Sequence, residues 1–203
     1  MTIVVAVPKG RVLKQLVPRL EAAGLDTSAL TESSRQLIRE DGDVRYLLLK
    51  PDDVPTYVEY GVADLGIVGR DVLLEREYDL YAPVDLGIGK CRLAVAGLES
   101  FDYPAAPGTR LRVATKFPNV ATRFFRKRAQ PVEIIFVQGS VELAPLTGLA
   151  DVIVDIVETG ETLRQNGLVV MDTICEVSSV VVANRVGLKL KRDRIAPLLE
   201  ALR

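Results

Sequence analysis

Short runs of β-branched residues alternate with helix-patterned segments along nearly the whole chain, and this alternation limits the fold more than any other feature. Several of the runs are apolar throughout, as strands are when both faces of their sheet are covered. The pattern is typical of α/β proteins. It predicts strands at 2–7, 44–49, 64–68, 91–96, 111–114, 132–137, 151–156 and 177–183.

Helices are expected between these strands, where apolar residues recur at helical spacing. The first of them contains Pro18, which cannot donate a backbone hydrogen bond, so we expect a late start or a kink there. The other expected helices are short and lie at 55–61, 70–75, 119–128, 141–146 and 192–202.

The order of the predicted elements favours two lobes. Segment 99–110, ESFDYPAAPGTR, is rich in Pro and Gly, yet neither half of the chain beside it has the strands of a complete large sheet. We therefore predict a first lobe formed by residues 1–89 with 180–203, and a second lobe formed by 90–179. Two crossover segments would join them, and lobes joined in this way leave a cleft that closes on a ligand.

The chain has no His, which excludes several classes of active site. Catalysis by a His general base, Ser-His-Asp triads, Cys-His pairs and His-ligated zinc all need imidazole. The 203 residues hold 26 Lys and Arg against 27 Asp and Glu, so the net charge of −1 gives no general affinity for polyanions. Segment 110–128 is basic, but its pattern is that of an amphipathic helix, and we expect no nucleic-acid partner.

Three features predict a cytoplasmic protein without a membrane anchor. The two cysteines, Cys91 and Cys175, lie far apart in apolar surroundings, as free thiols do in a reducing compartment. The first residues, MTIVVAVPKGR, are typical of a core strand and lack the basic and apolar regions of a signal peptide. No apolar run approaches the ~20 residues that a membrane helix needs.

A candidate anion site follows the apolar run 152–157. Thr159, Gly160 and Thr162 come where a strand ends and a helix begins, so backbone N–H groups and both hydroxyls can surround a phosphate. Asp155 and Asp151 lie just upstream, and a carboxylate beside a phosphate site suits the diol of a ribose 5-phosphate. No Lys follows Gly160, so this is not a Walker loop. The alternative is an ordinary turn, with Asp155 as a helix cap.

The residues around this loop carry a resemblance. A long spaced pattern is formed by Glu142, Gly148, Ala150, Ile153, Asp155, Ile156, Thr159, Gly160, Thr162 and Leu163. It resembles the signature of the ATP phosphoribosyltransferases. Further similar segments are VPKGR at 7–11, ESSRQLI at 32–38, KPDDVPTYVEYGVADLGIVGRDVL at 50–73 and VATKFPNVATRFF at 113–125.

The resemblance implies a two-lobed fold like that of type II periplasmic binding proteins. It also implies transfer of phosphoribosyl from phosphoribosyl pyrophosphate to N1 of ATP, with Mg²⁺ held mostly by substrate oxygens and no metal site formed by the protein. Nothing after ANRVGLKLKRDRIAPLLEALR would form a regulatory domain, so the chain resembles the short catalytic form. Such chains are expected as homodimers and in a hetero-octamer with a regulatory subunit resembling histidyl-tRNA synthetase.

The resemblance also assigns residues to roles. Lys9 and Arg11, which follow the first strand, are predicted to contact pyrophosphate or the triphosphate, and with Arg35 they are the predicted catalytic residues. Asp71 either caps a helix or accepts from the adenine amino group, and Lys116 is a further predicted ATP contact. The predicted phosphoribosyl pyrophosphate ligands are Asp151, Asp155, Glu158, Thr159, Gly160, Glu161 and Thr162.

Two other functions compete with this one. A two-lobed module that binds a small solute without chemistry would share the architecture, but it predicts export and leaves the loop beside Asp155 without a purpose. A dinucleotide oxidoreductase is excluded because no GxGxxG follows the first strand.

Overall fold

The computed structural model describes residues 2–203, which form two compact units. The first unit contains the chain up to Lys90 together with Ser178–Arg203, and the second contains Cys91–Val177. Each unit has its own sheet and its own hydrophobic clusters.

The first unit is built on a six-stranded mixed sheet with the order β2-β3-β1-β4-β11-β5. Its strands are β1 (Ile3–Pro8), β2 (Ile38–Asp41), β3 (Val44–Leu49), β4 (Leu65–Gly69), β5 (Tyr81–Asp85) and β11 (Ser179–Ala183). Its helices are α1 (Arg11–Ala22), α2 (Ser28–Thr31), α3 (Val54–Glu59), α4 (Arg70–Glu75), α8 (Arg185–Leu190) and α9 (Arg192–Ala201), with a 3₁₀ turn at Pro51–Asp53.

The central strand β1 is apolar because helices cover both of its faces. Ile3, Val5 and Val7 belong to one cluster with residues of α1 and α9. Ala6 belongs to the cluster on the other face, which contains residues of α3. Strands β3 and β4 pair with β1 in parallel on either side, so the chain connections diverge at β1.

The second unit has a five-stranded sheet with the order β10-β6-β9-β7-β8. Its strands are β6 (Cys91–Leu98), β7 (Leu111–Thr115), β8 (Val132–Phe136), β9 (Val152–Val157) and β10 (Leu168–Val177). Its helices are α5 (Pro118–Lys127), α6 (Leu143–Leu146) and α7 (Glu161–Gln165). Here β8 and β9 pair in parallel with β7 on either side, and β10 returns antiparallel to β6, with Val177 opposite Cys91.

The sequence predicted the buried strands well and missed strands with polar or irregular patterns. Strands β2 and β5 lie at the two edges of their sheet, where IRED and the Pro-containing YAPVD are tolerated because one side needs no partner. Strand β10 contains two register shifts, which interrupt its alternation.

Of the two outcomes expected for the first helix, a late start or a kink, the late start is wrong and the kink stays a prediction. Helix α1 begins at Arg11 and continues through Pro18. Pro18 is exposed, whereas Leu16 and Leu20 are buried in the core and hold both halves of the helix against the sheet. No helix within residues 2–203 has the length and apolar character needed to span a membrane.

Asp151 ties β9 to β7 at the amino ends of these strands. Its Oδ1 accepts from Nη2 of Arg112 at 2.6 Å, its Oδ2 accepts from the Arg112 backbone N–H at 2.8 Å, and its own N–H donates to the Arg112 carbonyl at 2.9 Å. The Arg112 guanidinium lowers the pKa of the Asp151 carboxyl below its ordinary value. The side chain of Asp151 is therefore a fixed part of the sheet.

We expect Asp151→Asn to lower the melting temperature by about 2–4 °C, the shift that a loss of about 1 kcal/mol gives in a chain of this length. Because the folded-state pKa of Asp151 is lowered, its contribution is present above the ordinary carboxyl pKa and disappears as the pH falls through the folded-state pKa. Thermal unfolding of both proteins from pH 7 downwards should show the difference shrinking below about pH 4.

The control is Glu133→Gln, since the exposed Glu133 carboxylate lies 3.9 Å from Arg110. It should leave the melting temperature unchanged. Equal melting temperatures for the Asp151→Asn variant and the unmodified protein at pH 7 would contradict the anchoring role.

Candidate active site

The first unit gathers polar side chains at the carboxyl edge of its sheet. Strands β1, β3 and β4 run in parallel, so their carboxyl ends meet at the same edge. The chain passes from β1 to β3 on one side and then crosses from β3 to β4 on the other, which makes the carboxyl end of β1 the topological switch point where ligands of open α/β sheets bind. Lys9 follows β1 directly at this point, and Arg11 begins α1.

A tight turn separates these two cations. The Lys9 N–H donates to the Leu49 carbonyl at 2.9 Å, which extends the β1–β3 ladder by one residue. Gly10 then adopts a φ of 95°, in the left-handed region that favours glycine, and the helix starts. Lys9 and Arg11 are both exposed at this edge.

Lys50 is a third cation at this edge, and the sequence analysis did not assign it a role. It follows β3, and the register places Leu49 opposite Pro8, so Lys50 lies next to Lys9. The sequence could have indicated this position of Lys50, because KPDDVP follows a predicted strand just as KGR at 9–11 does.

Arg35 reaches the same edge by a different route. Strand β2 pairs antiparallel with β3, so the amino end of β2 lies at the carboxyl end of β3. The Leu48 N–H donates to the Leu37 carbonyl at 2.8 Å, which extends this pairing towards Arg35. Arg35 is exposed and makes no hydrogen bond or ion pair with any other residue of the 2–203 range. Arg35, Lys50 and Lys9 therefore follow the strand order β2-β3-β1.

Asp71 lies at the same edge but is buried, with 8% of its surface exposed. It is in the first turn of α4, and its carboxylate folds back over Gly69, where any Cβ would collide with it. This is the geometry of a carboxylate that stabilises a helix start. A direct contact between Asp71 and ATP stays a prediction.

The second unit repeats this arrangement around β7. The Thr115 hydroxyl is fully buried, donates to the Val154 carbonyl at 2.6 Å and accepts from the Phe117 N–H at 2.8 Å. It joins the carboxyl end of β7 to β9 and fixes the chain just before α5. Because Thr115 is opposite Val154, Lys116 lies beside Asp155 at the switch point of this sheet.

The predicted phosphate loop lies at this edge, between β9 and α7. Gly160 has a φ of 77°, which turns the chain into the helix, and the Thr159 hydroxyl accepts from the Glu161 N–H at 3.3 Å. Leu163 is buried and anchors the loop from inside, whereas Thr162 remains exposed. Glu158 is exposed as well, so the described loop offers polar groups of Glu158, Thr159, Gly160 and Thr162 on its surface.

Two of the predicted phosphoribosyl ligands are engaged elsewhere: Asp151 lies outside the loop, and Glu161 lies in the loop but its carboxylate bonds within its own helix. Asp151 precedes β9 and the loop follows it, so the six residues of the strand, at ~3.3 Å each, separate them by roughly 20 Å. The Glu161 carboxylate accepts from Arg164 at 2.5 Å and from Gln165 at 2.7 Å within its own helix. The Arg164 bond lowers the pKa of Glu161. We leave both side chains out of the proposed site.

Arg92 is a further cation at this edge that sequence reasoning missed. It lies on β6 opposite Val157, the last residue of β9, and Asp155 is opposite Ala94. Opposite residues of an antiparallel pair point to the same face, so Arg92 and Asp155 share a face. The Nε of Arg92 is buried and finds no hydrogen-bond partner in the described part of the chain. One basic residue in the apolar run CRLAVAG was the available signal.

Carboxylates and thiols do not group into a metal site anywhere in residues 2–203, where no three of them lie close enough to hold an ion. Phosphate compounds are anionic ligands that guanidinium and ammonium groups bind. The cations at both edges are suited to such anionic ligands.

The comparisons with known proteins agree with this chemistry. The HisG family model, described as ATP phosphoribosyltransferase, matches residues 50–203. An ATP phosphoribosyltransferase of Sorangium cellulosum (strain So ce56) is 58% identical over 201 residues, covering 98% of this chain and 93% of that protein. ATP phosphoribosyltransferase 2 of Geobacter sulfurreducens is 49% identical over 205 residues, covering 98% and 96%.

The fold is also similar to that of a solved structure. A chain of the ATP phosphoribosyl transferase (HisG:HisZ) complex from Thermotoga maritima is similar with a TM-score of 0.84 and 39% identity, covering 99% of this chain and 96% of that one. The predicted two-lobed α/β fold, similar to that of type II periplasmic binding proteins, is confirmed by this likeness. The extent and identity of these matches show that the chain belongs to the ATP phosphoribosyltransferase family, whose members catalyse the first step of histidine biosynthesis.

Proposed function

We propose that the described side chains divide the transfer of phosphoribosyl from phosphoribosyl pyrophosphate to N1 of ATP between the two carboxyl edges. The second unit binds the 5-phosphate and the ribose diol, and the first unit supplies the cations for pyrophosphate and triphosphate. The observation that carries this proposal is the position of Lys9 and Lys116, each directly after the strand at the switch point of its sheet.

The 5-phosphate would bind at the loop 158–162. Backbone N–H groups beside Gly160 and the hydroxyls of Thr159 and Thr162 are the donors, and the start of α7 adds a weak favourable field. Asp155 accepts from the diol, and Arg92 offers its buried Nε to a phosphate or sugar oxygen. Binding would therefore satisfy a donor that has no partner within residues 2–203.

The chemical step needs charge stabilisation more than proton transfer. As the bond to C1 breaks, positive charge grows on the sugar and negative charge on the leaving pyrophosphate. Arg35, Lys9 and Arg11 would stabilise the leaving group, and Lys50 adds to the same field. N1 of adenine attacks with a lone pair that needs no general base, which agrees with a chain that has no His.

The divalent metal used by the family would be Mg²⁺, held by the phosphate oxygens of the substrates. When bound, it screens the charge of the pyrophosphate and triphosphate groups. The protein side chains orient these groups and neutralise the charge that remains.

We also propose an assembly and a compartment. The similar Thermotoga chain was solved in a HisG:HisZ complex. This chain would form a homodimer that joins a regulatory subunit resembling histidyl-tRNA synthetase in a hetero-octamer. It would work in the cytoplasm. The alternative of a solute-binding module has no observation in its favour, because the relatives are named as transferases.

The overall test is to mix the chain and its regulatory subunit with ATP, phosphoribosyl pyrophosphate and Mg²⁺. New near-ultraviolet absorbance of N1-substituted adenine is the expected result. No absorbance change with all components present would overturn the proposal.

Thr162→Ala should weaken phosphoribosyl pyrophosphate binding by about 10- to 100-fold, the equivalent of ~1.5–3 kcal/mol for a hydrogen bond to a charged group. Titration calorimetry in the presence of Mg²⁺ measures the dissociation constant. Thr173→Ala is the matched control, because Thr173 is exposed on β10 and should leave binding unchanged. A Thr162→Ala variant that binds normally would remove this hydroxyl from the loop.

Arg35→Ala should lower kcat by about 100-fold, as expected when a cation contacts charge that develops in the transition state. The KM for phosphoribosyl pyrophosphate should change much less. The control is Arg45→Ala, since Arg45 on β3 is exposed and pairs with Glu40 at 2.6 Å. A variant of Arg35 in which only KM changes would contradict a role in the chemical step.

A further inference from the structure

Arg39 is a buried cation that binds only backbone. It lies on β2 with 8% of its surface exposed. Its Nη1 donates to the carbonyls of Ala29 at 2.6 Å and Glu32 at 3.0 Å, its Nη2 donates to Ser34 at 2.7 Å, and its Nε donates to Gln36 at 3.3 Å. Within residues 2–203 it makes no ion pair. These four bonds show that the guanidinium holds the backbone of segment 29–36, which precedes β2.

The segment needs such a partner because it has little structure of its own. Residues 32–36 belong to neither a helix nor a strand, and the carbonyls of Glu32, Ser34 and Gln36 accept no bond from a helix or a strand ladder. The guanidinium is planar and its N–H groups point in fixed directions. Carbonyls that accept from it are therefore held at fixed positions relative to β2.

Two neighbouring side chains hold the earlier part of the same segment. Tyr46 is opposite Arg39 on β3, is fully buried, and donates from its hydroxyl to the Asp26 carbonyl at 2.9 Å. Asp41 accepts from the Ala29 N–H at 2.8 Å. Neither of these two bonds reaches beyond residue 29. The next bond to the sheet backbone is at Leu37, whose carbonyl accepts from the Leu48 N–H, so between residues 32 and 36 the side chain that bonds the backbone from β2 is Arg39.

Arg35 lies between two residues whose carbonyls both accept from Arg39. The carbonyls of Ser34 and Gln36 accept from Nη2 and Nε of the same guanidinium. The Arg35 side chain itself is exposed. Its direction is thus set by a backbone that Arg39 fixes on both sides.

We propose that Arg39 is a positioning residue for the reaction: it holds segment 32–36 so that Arg35 is presented to the leaving pyrophosphate. This inference rests on the proposed function of Arg35. A preorganised cation stabilises developing charge without first paying for its own ordering, and a displacement of about 1 Å costs up to ~100-fold in rate.

The test is a double-mutant cycle between Arg39→Lys and Arg35→Ala, measured as kcat and KM in the complete enzyme with its regulatory subunit. Lysine keeps the charge but cannot reach four carbonyls in one plane. Arg39→Lys alone should lower kcat by about 10- to 100-fold, and its KM values should stay within about threefold of those of the unmodified enzyme. In the Arg35→Ala background, the same change should have almost no further effect on kcat.

Two results would overturn the proposal in different ways. An equal loss of kcat from Arg39→Lys with and without Arg35 means that Arg39 acts through the general fold, while the proposed function of Arg35 stands. A normal kcat for Arg35→Ala means that the proposed role of Arg35 fails, and the positioning role fails with it.

A second variant keeps the proposal testable if Arg39→Lys folds poorly. Gln36→Gly leaves the buried guanidinium intact and increases the backbone freedom of the segment. The kcat should therefore fall several-fold. As for Arg39→Lys, this fall should be absent in the Arg35→Ala background. Trypsin cleavage after Arg35 should become faster in both variants than in the unmodified protein. Unchanged cleavage and unchanged kcat in Gln36→Gly would contradict the proposal.

Discussion

The parallel pairing of three strands in each unit is the constraint on which the site depends. In both sheets a central strand, β1 or β7, has a parallel neighbour on each side. The chain passes first to the neighbour on one side, β3 or β8, and then crosses to the neighbour on the other, β4 or β9. This pairing leaves the residue after the central strand exposed at an edge where several strands end. Lys9 and Lys116 occupy these equivalent positions in the two sheets.

The charges of the two edges differ in a way that matches two kinds of substrate group. The edge of the first unit carries Arg35, Lys50 and Lys9 in strand order, which suits polyphosphate oxygens. The edge of the second unit combines hydroxyl and backbone donors of the loop 158–162 with Asp155, which suits a phosphate beside a diol. Neither edge uses an imidazole, since the chain has no His.

Sequence reasoning located residues at the sheet edges best where they directly follow an apolar strand, as Lys9 and Lys116 do. Their roles in substrate binding stay predictions. It could not tell which end of β9 an aspartate occupies, so Asp151 and Asp155 received the same role although six strand residues separate Asp151 from the loop. Arg39 and Arg92 were missed for another reason. Their importance comes from antiparallel partners and carbonyl contacts across the fold, and a single sequence with regular spacing gives no sign of such contacts.

The register at the start of β6 and the end of β10 has a consequence for how the chain reaches its native state. Cys91 and Val177, the first and last residues of the second unit, are direct cross-strand neighbours. The second unit is thus a nested insertion whose ends emerge side by side. Once the second unit has formed, residues 90 and 178 of the first unit are held close together by the paired ends of the second. The entropy cost of closing the long loop between these two residues has then already been met.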